Sequence, residues 1–281
     1  MKVTILGCGS AYGVPYVGNG WGDCDPQNPR NRRSTSSILI EQEGTKLLVD
    51  MGPEYREQSS RHGITDVDGV FFTHPHADHI AGIYNLPMMM THYQDRDLPL
   101  LADSFTRANI ERSYWFMFDP SVKIEYFGLG RPFWHDIKAY EPAQLGNMTL
   151  LPFPQVHGRM MSMGLRIGDF AYSTDVSEFP KKSFEALRGV ETWIVECNNE
   201  YDRGSKSHAY LEKIYAWARE LQPKRVILTH LEYTMDYDTI SSKLPEGFEL
   251  AYDGMELDIP DPSPTNIPLS AVTVPQIKPS W

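Results

Sequence analysis

A mixed α/β (α+β) fold, with sheets covered by helices, is what this 281-residue chain predicts. Three observations lead there. Short apolar runs bounded by Gly, Asp or His come first and read as strands. Helical segments are interspersed among them. The same mixture recurs in the second half without the alternation of a regular βαβ repeat, and no internal sequence repeat accompanies it. With 41% apolar and 22% charged residues, the composition is that of a globular protein with a sizeable core.

The elements follow in order. "KVTILG", "SSILIEQ", "KLLVDMG" and "GVFFTH" are predicted strands. Pro53 to His62 is a short helix with Pro53 in its first turn. Ile80 to Met90 is a second helix, interrupted by Pro87. Ser104 to Trp115 is a third, running into the aromatic "SYWFMF". "MTLLPFPQVH", "MGLRIGDFAYSTD", "VETWIVEC" and "KRVILTH" return to strand character. Between the last two, Leu211, Ile214, Tyr215, Ala218 and Leu221 fall on one helical face, with Ser207 as the expected N-cap. From Pro260 to Trp281 there are six prolines in 22 residues, which excludes a helix and predicts an extended arm. The chain therefore divides into a domain at 1–259 and a proline-rich extension at 260–281. That extension is either a loosely packed terminus or an arm that docks on a partner subunit.

Charge narrows the partners. Against 26 basic residues stand 37 acidic ones, a net charge of −11. Such a surface repels nucleic acid and anionic membranes at long range, while leaving room for a local basic pocket. Cys8, Cys24 and Cys197 are too few and too scattered for a disulfide framework. The N-terminal apolar run is too short for a signal peptide, and no stretch reaches the length of a membrane span. A cytoplasmic protein with no membrane partner is expected.

The chemistry concentrates in "FFTHPHADHIAG", Phe71 to Gly82, where His74, His76, Asp78 and His79 crowd together although the chain has only nine histidines. Imidazole nitrogens and carboxylate oxygens are the ligands of zinc, manganese and iron. A loop leaving a strand can turn His74 and His76 inward, with Asp78 and His79 on the other side of the turn. Such a site needs more ligands, and three strand ends supply them: His157, Asp175 and His230. A lone strand-end His is most often a surface or core residue; beside the cluster the balance changes. His74, His76 and His157 would hold one divalent ion. Asp78, His79 and His230 would hold a second, with Asp175 bridging. Two such ions lower the pKa of a bridging water to roughly 7 and clamp attacking and leaving oxygens.

"THPHADH", together with His157, Asp175 and His230, resembles the metallo-β-lactamase superfamily, from "ILGCGSAYGVP" through "GFELAYDGMEL". The resemblance implies a four-layer αββα sandwich with a binuclear centre at one edge of two sheets. Asp175, where lactamases often carry Cys, points away from that branch. "GCGSAYGVP", "NPRNRRSTSS" and "YDGMEL" instead resemble the phosphoribosyl 1,2-cyclic phosphate phosphodiesterases of phosphonate breakdown, which open the five-membered cyclic phosphate of a phosphorylated ribose. This implies a metal-dependent phosphodiesterase with a small phosphorylated substrate. His208, at the expected helix start, matches a His that protonates the leaving oxygen, and Asp78 joins it as a catalytic residue. A helix N-terminus would favour neutral imidazole there, and a bound phosphate the charged acid.

Departures exist. Relatives in that pathway carry a separate structural zinc site built from several Cys and a His. Here only Cys24 remains, with Tyr233 at the place of the His, so that site is expected to be absent. Gly7, Gly9 and Gly13 are spaced wrongly for a dinucleotide fingerprint, and Pro15 blocks the helix it needs. Gly9 and Ser10 fit a turn close to phosphate instead. Arg32 and Arg33, with Arg30, either bind phosphate bidentately or form a solvated basic loop. His62, His92 and His135 have no visible partners and are taken as structural, although "PFWHD" could line a pocket wall. Alternative activities are tRNA 3′-end processing as in RNase Z, thioester or lactone hydrolysis, and non-catalytic nucleotide binding. RNase Z would need a basic, Gly-rich arm that the chain lacks. A homodimer is the commonest assembly for such a chain.

Overall fold

The computed structural model describes residues 1–90, 97–119, 121–122 and 132–260. Chain order sorts the strands into two sheets. β1 (Lys2–Gly7), β2 (Ser37–Gln42), β3 (Thr45–Val49), β4 (Gly69–Phe71), β5 (Leu98–Ala102) and β6 (Pro132–Asp136) build the first. β7 (Ala143–Leu145), β8 (Met148–His157), β9 (Met160–Ile167), β10 (Phe170–Ser173), β11 (Thr192–Glu196), β12 (Arg225–Thr229) and β13 (Phe248–Leu250) build the second. β14 (Glu256–Asp258) returns to the first and pairs antiparallel with β1, so among the described residues each sheet has seven strands. The helices are α1 (Tyr55–His62), α2 (Ala77–Ile80), α3 (Leu86–Met90), α4 (Ser104–Ser113), α5 (Trp115–Phe118), α6 (Lys181–Ala186), α7 (Leu211–Leu221) and α8 (Tyr237–Ser241). Among the described residues, no helix is long and apolar enough to cross a membrane.

Two-residue periodicity sets the layers. Val3, Ile5, Ile38, Ile40, Leu47 and Val49 pack in the cluster that holds Phe153, Leu165, Tyr172 and Ile194 of the second sheet. Their neighbours Leu6, Leu39 and Leu48 face the opposite way, onto Tyr55, Ile83, Leu86 and Ile110 of the helical layer. The first sheet is thus buried on both faces, which is why its strands are continuously apolar. On the outer side of the second sheet, α7 lays Trp217 against Phe179, at a ring separation of 4.8 Å, and near Trp193, at 6.5 Å. The result is four layers, helix–sheet–sheet–helix.

Several element boundaries differ from expectation for local reasons. Pro53 lies in the turn ahead of α1, and Pro87 sits inside the first turn of α3, where its missing N–H costs nothing. Tyr114, at φ −121°, separates α4 from α5 and splits the aromatic run. Ser207 does not cap α7. Asn198 N–H donates to Ala209 O and Leu211 N–H to Asn199 O, so the chain stays extended until Tyr210, which is the N-cap. β5, β6, β7, β13 and β14 are short or contain proline, and the sequence patterns did not single them out. His92 and the extension beyond residue 260 lie outside the described residues.

Candidate metal centre

One edge of the sandwich gathers the ends of several strands. In the first sheet, parallel β3 and β4 set Asp50 beside Thr73, whose N–H and Oγ1–H both donate to the Asp50 carboxylate at 2.8 Å. His74 follows directly. In the second sheet β8 ends in His157, and the adjacent parallel strands β10, β11 and β12 lead to Asp175, Glu196 and His230. Asp50, Asp175 and His230 adopt left-handed backbone, at φ 63°, 51° and 56°. Such conformations cost on the order of 1 kcal/mol or more for a residue with a Cβ and cluster at functional sites.

The side chains form two groups. His74 Nε2 and His157 Nε2 converge on His76 Nδ1, at 3.0 and 3.1 Å, and Asp175 Oδ2 stands 3.7 and 3.6 Å from the first two. In the second group, His79 Nε2 lies 3.0 Å from Asp78 Oδ2 and 3.1 Å from Asp175 Oδ1, while His230 Nε2 lies 3.7 and 3.3 Å from the same atoms. Asp175 therefore turns one oxygen to each group. Ligands bound at roughly 2.0–2.2 Å in tetrahedral geometry sit about 3.3 Å from one another, so these separations suit a divalent ion in each group.

Two further observations test that fit. His79 Nε2 and His230 Nε2 are buried without a hydrogen-bond partner among the described residues, as expected of atoms aimed at an ion. Burial, reinforced by neighbouring imidazoles, holds His74 and His76 below the usual histidine range, which leaves their lone pairs free. Burial would also push His79 and His230 down, but the carboxylates of Asp78 and Asp175 outweigh it and raise both. In return, Asp78 and Asp175 are held well below the usual carboxylate range despite their burial. His/Asp clusters compatible with divalent metal binding are therefore present.

The second nitrogen of three of these rings is hydrogen-bonded, and that of His230 faces a carboxylate. His74 Nδ1–H donates to Thr73 Oγ1 at 3.0 Å, His79 Nδ1 meets Asp50 Oδ2 at 2.6 Å, and His157 Nδ1–H donates to Ser207 O at 2.9 Å. His230 Nδ1 lies 3.2 Å from Glu196 Oε1. These contacts fix the tautomer with Nε2 inward. Glu196 is fully buried and accepts from Val176 N–H and from His208 Nδ1–H. The His208 ring lies 5.0 Å from that of His157 and stacks 5.2 Å from that of His230, above both groups. Burial lowers its pKa, but Glu196 more than compensates and the net shift is upward. Glu196, His208 and His230 also cluster closely enough to suggest a third ion. Because Nδ1 of both histidines faces the carboxylate, a hydrogen-bonded relay explains this arrangement better.

Sequence reasoning passed over Asp50 and Glu196, and took Ser207 only as a helix cap. Asp50 and Glu196 end the apolar runs "LLVD" and "TWIVE". The strand-end criterion that selected Asp175 would also have found both.

The other expected site residues fall differently. Gly9 is wedged between two chain segments, where a Cβ would come 2.9 Å from Ser34 O. Ser10 N–H donates to Leu231 O at 3.1 Å, next to His230, and its Oγ meets the Tyr16 hydroxyl at 2.6 Å. Arg33 does not face a substrate. It is 2% exposed, and its guanidinium donates to Met235 O at 2.6 Å, Glu232 O at 3.2 Å and Asn31 Oδ1 at 3.2 Å, so the Arg-containing loop is pinned from inside. Arg32 is exposed and stacks over Trp21 at 5.0 Å, while Arg30 lies 4.8 Å from the rings of both Tyr237 and Tyr252.

Comparison with known proteins agrees with this architecture. A diphosphatase of the PhnP family superposes with a TM-score of 0.82 at 28% identity, covering 92% of this chain and 97% of that one. The anti-Pycsar protein Apyc1 of Paenibacillus harenae is 26% identical over 246 residues, 84% of this chain and 92% of that protein. An octanoyltransferase of Porphyromonas gingivalis is 27% identical over 258 residues, 91% of this chain; the chain spans 51% of that protein, about half its length. Residues 45–231 match the family described as "Beta-lactamase superfamily domain". That span contains all seven His and Asp positions of the two groups, and the chain belongs to the β-lactamase superfamily, with the metallo-β-lactamase sandwich as its fold.

Proposed function

We propose that this protein is a two-metal phosphodiesterase that opens a small cyclic ribose or nucleotide phosphate. The observation that carries the reading is His208, held by buried Glu196 directly above two groups of metal-type ligands. His74, His76, His157 and Asp175 would hold one ion, and Asp78, His79, His230 and Asp175 the other. Zinc and manganese suit these donors, and iron is compatible. When bound, two such ions supply Lewis acidity and a readily ionised water.

The chain's own residues supply the rest. Asp78 turns one oxygen toward His79 and His230, and its other oxygen orients the attacking water. Attack forms a new P–O bond while the P–O bond to the ribose oxygen breaks. That oxygen needs a proton, and His208 supplies it from Nε2, since Nδ1 is held by Glu196. The raised pKa of His208 keeps that proton available near neutral pH. Ser10 and Gly9 bring backbone close to His230, where a phosphate would lie. A relative at 28% identity is a diphosphatase, a related phosphoryl chemistry.

Cys8, Cys24 and Cys197 are free and buried, which suits a reducing, cytoplasmic setting. A homodimer is the assembly we expect.

The test is an assay of the protein reconstituted separately with manganese and zinc against bis(p-nitrophenyl) phosphate and a ribose 1,2-cyclic phosphate, with His208→Ala alongside. The reading holds if wild type turns over both and the variant loses mainly the ribose substrate. It fails if neither phosphodiester reacts with any metal, or if precursor tRNA or a thioester is cleaved instead.

A further inference from the structure

The face of β8 that carries Phe153 and His157 also carries Gln155, which lies opposite Ser162 of β9. Both are fully buried, at 0% exposed. An apolar side chain would suit each position, because a buried polar group costs stability unless it is hydrogen-bonded. The chain makes room for the amide instead. Gly164 lies where a Cβ would come 2.7 Å from Gln155 Oε1.

The two side chains form a one-way chain of donors that ends on the Asp175 turn. Gln155 Nε2 donates to Thr174 O at 2.9 Å and to Ser162 Oγ at 3.1 Å, and Ser162 Oγ–H donates to Asp175 O at 2.8 Å. Carbonyl oxygens only accept, so Thr174 O fixes which end of the amide faces it, and Asp175 O fixes the direction of the hydroxyl. The peptide on each side of the Asp175 Cα is thereby held, and Asp175 itself sits at φ 51°. Glu196 takes the next amide, Val176 N–H, and Thr174 Oγ1–H donates to Asp175 Oδ1 at 2.9 Å. Backbone and carboxylate are set together. Gln155 Oε1 is left without a hydrogen-bond partner among the described residues, a cost that core packing alone does not explain.

We infer that Gln155 and Ser162 are positioning residues for Asp175, holding the turn from which its carboxylate serves both ligand groups at once. The inference rests on the two-metal part of the reading above and not on its substrate. Asp175 Oδ1 stands 3.1 and 3.3 Å from Nε2 of His79 and His230, and Oδ2 stands 3.7 and 3.6 Å from Nε2 of His74 and His157. A left-handed residue with a Cβ relaxes when its restraints are removed. A carboxylate shared by two groups cannot then turn toward one without leaving the other. Loss of either donor therefore weakens ion binding in both groups together. Asp50 gives the contrast: it touches a ligand of one group, His79, and its loss falls on that group.

The experiment titrates the full chain, stripped by a chelator, with zinc against a chromophoric competitor, for wild type, Ser162→Ala, Gln155→Leu and Ser183→Ala. Ser183 is the structural comparison: it is equally buried, and its hydroxyl serves Pro154 O, beside Gln155, rather than the Asp175 turn. Wild type is expected to take up two ions. Ser162→Ala and Gln155→Leu should each weaken both binding steps about 10- to 100-fold, the usual effect of losing an outer partner of a metal ligand. Ser183→Ala should leave both affinities unchanged, and melts of the metal-free proteins record what each change costs in stability. Affinities equal to wild type, a loss confined to one ion, or an equal loss in Ser183→Ala would each overturn the inference. If Gln155→Leu does not fold, Ser162→Ala, which deletes a single oxygen, decides it. A wild type that binds fewer than two ions refutes the two-metal reading and the inference with it; two ions in wild type with unequal losses in the variants refute the inference alone.

Discussion

Glu196 accepts the Nδ1 proton of His208 from a position of complete burial, and the same carboxylate oxygen lies 3.2 Å from Nδ1 of His230. One acid thus sets the orientation of His208, the proposed proton donor, and of a metal-type ligand. Glu196→Gln keeps the shape but removes the charge that raises the His208 pKa. Turnover of a ribose cyclic phosphate should fall about 100-fold, the lower end of what general acid catalysis contributes. Turnover of bis(p-nitrophenyl) phosphate should fall much less, because its leaving group needs little protonation. Rates measured across leaving groups of increasing basicity check this: the variant's slope should be steeper than that of wild type, and parallel slopes would refute the role.

Asp50 bears on the second group through His79, at 2.6 Å. Asp50→Asn should weaken ion binding there about 10- to 100-fold, the usual effect of losing an outer carboxylate. Elemental analysis after dialysis is expected to show two ions per wild-type chain and closer to one in the variant. A chelator should lower the melting temperature of wild type more than that of the variant. At free metal a hundredfold above Kd, the bound ion adds about 2.7 kcal/mol of stability.

Arg33 separates structure from binding. Removing its side chain strands Met235 O in a buried setting and takes one donor each from Glu232 O and Asn31 Oδ1, which keep those from Met235 N–H and Tyr237 N–H. Arg33→Ala should cost about 3 kcal/mol in a urea titration. If Arg33 bound substrate, the change would instead appear in KM with little loss of stability.

Asp236 predicts the acid limb. Burial pushes its carboxyl up, but hydrogen bonds from Thr239, from Asp25 N–H and from Asn31 outweigh this and bring it to about 2, against a usual 3.8. A depressed folded-state pKa gives stability that is complete above the unfolded value and lost as pH falls through the folded one. Asp236→Asn should therefore be less stable than wild type above about pH 4, and the difference should shrink between pH 4 and pH 2. Denaturant midpoints across that window check it. A difference that grows on acidification would reverse the assignment.

The fold class and the stock of metal-type ligands were legible in the sequence alone. Both are local properties: strand and helix periods are written in neighbouring residues, and "THPHADH" holds four donors within a few positions. His157, Asp175 and His230 were legible because each closes an apolar run. Tertiary structure decided what depends on which strands lie side by side. It set Asp50 beside Thr73 and Glu196 between the strands that lead to Asp175 and His230, turning two unremarked acids into the supports of His79 and His208. It also buried Arg33. An arginine's surroundings come from segments far away in sequence, here residues 232 and 235 for Arg33, and no local pattern encodes them. For the same reason Ser207 gives its carbonyl to His157 rather than its hydroxyl to a helix, because a bridge between Asn199 and Tyr210 delays the start of α7.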